Sequence, residues 1–71
     1  TRNYAKAIEM YRLAETKGAP DADRNNLHLG MALALSGDRA GAKAVLTKVA
    51  ADPSKAIARL WLVFVDTPPT A

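Results

Sequence analysis

Seventy-one residues, a formal net charge of +3 and 49% apolar residues bound one small globular domain, whose core is marginal without extra help. The lack of cysteine excludes disulfides and thiolate metal sites, and a single histidine, His28, excludes a histidine metal cluster within one chain. The ten Lys and Arg are spread almost evenly and interleaved with seven acids, as on a solvated surface rather than a phosphate-binding stripe, so no nucleic-acid partner is expected.

The composition is rich in alanine, the best helix former, and no stretch alternates polar and apolar residues, so an all-α fold of four helices is predicted. The first helix runs about Tyr4 to Lys17, with Asn3 as its candidate cap. Tyr4, Ala7, Ile8, Tyr11 and Ala14 form its apolar stripe, and the segment Gly18-Ala19-Pro20 ends it. The second runs about Arg24 to Leu35, capped by Asp21 or Asp23 and ended by Ser36-Gly37. Asp38 caps the third, about Arg39 to Ala51, and so short a turn makes the two helices antiparallel neighbours. Ala42, Val45, Leu46 and Val49 form the third helix's stripe.

Asp52-Pro53 reads as a start signal, with the acid as cap and proline at the first helical position. The fourth helix is predicted over about Ser54 to Val65 and contains the run LWLVFV. Residues 1–66 then form the helical domain and residues 67–71 a short proline-containing tail. A strand reading of LWLVFV has no partner strand. A membrane span needs about 20 apolar residues, and Arg59 interrupts too early, so no membrane insertion is expected. On a helix, Ile57, Leu60, Trp61 and Phe64 make one stripe, placed here against the third helix. Ala58, Leu62 and Val65 make a second, which leaves a surface of Ala58, Trp61, Leu62 and Val65 for flanking sequence, a second copy of the chain or a different protein to cover.

Catalytic signals are missing. His28 has no Ser, Asp or Glu at helical spacing except Asp21 or Asp23 near the helix start, and Glu9 and Glu15 fall on different helix faces. Gly37 and Gly41 lack the Lys-Ser/Thr of a phosphate loop. No cofactor or metal is implied, and a non-enzymatic chain is expected. With Thr1 first and no signal-like segment near it, a fragment or a processed product is expected, and no compartment is assigned.

The segment from Asn26 to Pro53 resembles a tetratricopeptide repeat. Leu29-Gly30 supply the Leu-Gly pair, Leu33 the bulky residue, Gly37 the turn, Ala42 the small position, Leu46 the second bulky one and Pro53 the terminator. Asn26 stands where Trp is usual, Val49 replaces the second small residue, and Pro53 comes one residue early. The first helix is similar to the second half of a preceding repeat. The resemblance implies antiparallel helix pairs in an α-solenoid fragment and a scaffold that holds a protein or peptide. It also implies a groove lined by Arg24, Leu27, His28, Met31 and Leu35. Family members that grip a terminal carboxylate use Lys and Asn there. With Leu27 and Met31 in this chain, an apolar peptide or helix is the expected ligand. The alternative is a small helical bundle that serves mainly as a homodimerisation, or homo-oligomerisation, module.

Overall fold

The computed structural model describes residues 4–18 and 20–67; Asn3 and the tail prolines Pro68 and Pro69 lie outside them. It contains four helices, α1 (Tyr4–Thr16), α2 (Ala22–Ser36), α3 (Arg39–Leu46) and α4 (Ser54–Asp66), and no strand among the described residues. The all-α prediction therefore holds. α2 is central: α1, α3 and α4 all pack on it, α4 also packs on α3, and α1 touches no helix but α2.

The stripe predicted for α1 is the stripe observed. Tyr4, Ala7, Ile8, Tyr11 and Ala14 are half-buried and every other residue of the helix is exposed. No residue of α1 is fully buried, as befits a helix with a single neighbour. Asn25 strengthens that contact by donating its Nδ2 to the Tyr11 carbonyl at 3.0 Å.

α2 begins two residues earlier than predicted. Asp21 is its cap, accepting from the Arg24 N–H at 3.0 Å. Asp23, the other candidate cap, does something else. Its carboxylate accepts from the Ala50 and Ala51 N–H groups at 3.1 and 3.0 Å, across the fold. At the far end Gly37 takes the left-handed conformation, φ 100°. The Gly37 N–H donates to the Ala34 carbonyl and the Asp38 N–H to that of Leu33, a paired closure that satisfies carbonyls the helix leaves open.

α3 stops at Leu46 instead of continuing to Ala51. Thr47 donates its hydroxyl to the Lys43 carbonyl, and Lys48 and Val49 turn back to Val45 and Leu46 in a tighter winding. Asp23 then takes the next two N–H groups, so the helix cannot continue. Val49 stays buried all the same. Asp52 does not cap α4: Pro53 occupies the cap position without a side-chain bond, and the Lys55 N–H finds the Ala51 carbonyl instead.

The α2–α3 contact turns on one glycine. A Cβ built on Gly30 would lie 2.5 Å from both Cγ and Cδ2 of Leu46, which is itself 1% exposed. Glycine inside a helix costs about 1 kcal/mol relative to alanine. Here that cost is offset by the seating of a fully buried leucine directly on the α2 backbone.

Candidate functional site

The two stripes of α4 exchange places relative to the sequence prediction except at Trp61, which packs half-buried on the core. Ala58 and Val65 are buried and Leu62 packs half-buried on the core, whereas Ile57, Leu60 and Phe64 are exposed. Ala58 and Val65 therefore do not belong to an association surface. The physical reason is the one that operates at Gly30. A small side chain lets a helix close on its neighbours, and α4 turns Ala58 inward against a core that already holds Ala42 and Leu46. Ile57, Leu60, Val63 and Phe64 are left outside. Small residues at Gly30, Ala42 and Ala58 are the sequence signal for this, and side-chain bulk alone does not mark the core.

The residues of the predicted groove are also separated. Leu27 is core, and Met31 is half-buried against it. His28 is half-buried with its ring centroid 5.9 Å from that of Tyr11 of α1. Arg24 is exposed and shares with His28, Asp21 and Asn25 a cleft of about 370 Å³ at the α1–α2 end. Leu35 lies at the other end of α2, 48% exposed.

Leu35 is where the two predicted surfaces meet. With Leu60, Trp61 and Phe64 of α4 it lines an open groove of about 400 Å³. The Trp61 and Phe64 rings form one wall, edge to face, with centroids 5.7 Å apart at 79°. Leu60 is 73% exposed, and Val63 and Ile57 extend the apolar face along α4. Every lining side chain is hydrocarbon or aromatic, so the groove offers burial and ring stacking and carries no acid, base or nucleophile. Among the described residues no group of His, Cys, Asp or Glu is placed to hold a metal ion. No described helix is long and apolar enough to cross a membrane.

One cation lies beside the groove, with the Arg39 guanidinium over the Phe64 ring. Arg39, at the start of α3, reaches the end of α4, where its Nε and Nη2 both donate to the Val65 carbonyl, at 3.0 and 2.7 Å. Beside it, Lys43 pairs with Asp66 at 3.2 Å. In the sequence both cations pass as evenly spread surface charge; only the packing of α3 on α4 brings them to this corner.

Elsewhere the oddest position is Asn26, which is 91% buried by its 9% exposure, with an Oδ1 that accepts no hydrogen bond among the described residues. It borders a small cleft with Glu15, Gly18, Ala22 and Asn25.

Compared with protein-family models, with curated proteins and with solved structures, the chain gives no match in any of the three.

Proposed function

We propose that this chain is a non-enzymatic protein-interaction module of the tetratricopeptide type that takes an apolar segment of a protein or peptide partner into the groove of Leu35, Leu60, Trp61 and Phe64. The observation that carries the reading is the groove itself, an aromatic-walled apolar surface on a domain of 71 residues with little apolar area to spare. Aromatic anchors in a concave apolar site are the usual core of a binding hot spot. The repeat reading is supported by two helical units in phase along the sequence and by the close seat of Leu46 on Gly30.

The test is selection from a displayed library of short helical peptides, run in parallel on the wild type and on Leu60→Glu. Peptides that bind the wild type and lose affinity for the variant, with apolar residues at i, i+3 or i+4, and i+7, are the expected outcome. A library that yields no binder dependent on Leu60 would sink the reading.

A second reading, a homodimerisation module, is favoured by the extension of the open face onto Ile57 and Val63. Sedimentation equilibrium separates the two. A concentration-dependent dimer abolished by Leu60→Glu supports association through α4, and a monomer at every concentration leaves the groove for other partners.

A further inference from the structure

Arg39 does more than neutralise a helix end. Besides its two bonds to Val65, its Nη2 donates to the Phe64 carbonyl at 3.1 Å and to that of Thr67. The last carbonyls of a helix have no donor within the helix and carry the negative end of its dipole. A planar guanidinium is suited to several of them at once, where an ammonium is a point charge. The same guanidinium's carbon lies 5.9 Å from the centroid of the Phe64 ring, which packs edge to face with Trp61. Arg39 thus grips both the backbone of α4's last turn and the side chain that forms the groove's wall.

We propose that Arg39 is the positioning residue of the groove, holding the end of α4 wound so that Phe64 stays packed on Trp61 and the groove keeps its shape. The inference rests on the reading of this groove as the binding surface. Without the clamp, the last turn frays and Phe64 leaves its place for part of the time, so an apolar ligand meets a complete groove in only a fraction of molecules.

The experiment compares the wild type with Arg39→Met and Arg39→Lys. Three measurements are made on each: far-UV circular dichroism, the ring-current shifts of the Trp61 indole protons, and titration with Nile red, a neutral apolar dye. Arg39→Met is expected to stay helical, to lose the Phe64-dependent shifts of Trp61, and to bind the dye roughly fivefold to tenfold more weakly, in proportion to the lost population of complete groove. Arg39→Lys keeps the charge but not the fork and falls between the two. Unchanged Trp61 shifts in Arg39→Met overturn the proposal whatever happens to the dye, since Arg39 would then act by contact or charge. Equal dye affinity in Arg39→Met and the wild type removes Arg39 alone. Absence of dye binding by the wild type removes the groove reading and this inference with it. Should Arg39→Met fail to fold, Arg39→Gln, which keeps a polar donor at the same place, carries the same three measurements.

Discussion

α2 and α4 are the two most apolar helices of the fold, and they fare differently. α2, with 15 residues, buries seven of them; α4, with 13 residues and the bulkier side chains, buries three. α2 has three neighbours and α4 two. Apolar composition therefore sets how much of a helix could be buried, and topology decides how much is. Topology leaves Ile57, Leu60, Val63 and Phe64 of α4 uncovered.

The contrast fails first if the α2–α3 seat is not the main source of stability. Leu46→Ala removes the fully buried side chain lodged on Gly30. The expected loss is about 3 kcal/mol, within the usual range for leucine truncation in a core, read as a fall in the urea midpoint. A loss below about 1 kcal/mol would mean that the site collapses freely and that the two helices are less tightly joined than the lack of room for a Cβ at Gly30 implies.

A second experiment compares the two faces of α4 directly. Leu62→Glu puts a charge against the core and is expected to cost about 2 kcal/mol. Leu60→Glu adds the same charge at a position 73% exposed and should change stability by no more than about 0.5 kcal/mol. Equal costs would contradict the orientation of α4.

Much of this was legible in the sequence. The stripe of α1 emerged residue by residue because a helix with one neighbour needs only one apolar face, and periodicity reports that face directly. The cap at Asp38, a cap at Asp21 or Asp23 and the turn at Gly37 were legible because each is a local interaction within about a turn and a half of helix. The errors have one cause. Asp23, Arg39 and Ala58 act through partners 25 or more residues away, or through the way helices close on one another. Nothing within a helical turn distinguishes Asp23 as a cap from Asp23 as the anchor of a distant loop. On α4, apolar nearly all round, periodicity could not choose between faces, and the groove was divided between two surfaces for the same reason. Gly30→Ala addresses the seat of Leu46 on α2. The added methyl gains about 1 kcal/mol in helix propensity and is forced onto Leu46. Overpacking of this kind costs about 1–3 kcal/mol, so a net destabilisation of about 1 kcal/mol is expected. A more stable variant would show that Leu46 can shift without cost.

Asn26 should move the other way. Its buried Oδ1 accepts no bond among the described residues, on a helix that otherwise hides apolar side chains. An unpaired buried acceptor costs about 1–3 kcal/mol. Asn26→Leu, close in volume, is therefore expected to raise stability by about 1 kcal/mol, seen as a higher urea midpoint. A loss would identify the amide as part of a polar arrangement that the fold depends on.

The smallest effect is expected at the corner where α3 meets the end of α4, and there the argument concerns what kind of contact holds α4. Lys43 and Asp66 pair at 3.2 Å, but their side chains are 59% and 55% exposed. Water competes for both, and such pairs contribute between nothing and about 1 kcal/mol. One turn away, Arg39 serves backbone carbonyls in a part-buried position, where its donors replace bonds that the helix cannot make for itself. Asp66→Asn should accordingly change stability by less than about 0.5 kcal/mol, and high salt should bring wild type and variant closer still. A loss above about 1 kcal/mol, insensitive to salt, would mean that the ion pair and not the guanidinium clamp ties α4 to α3, and the wall of the groove would then be held by the opposite member of that corner.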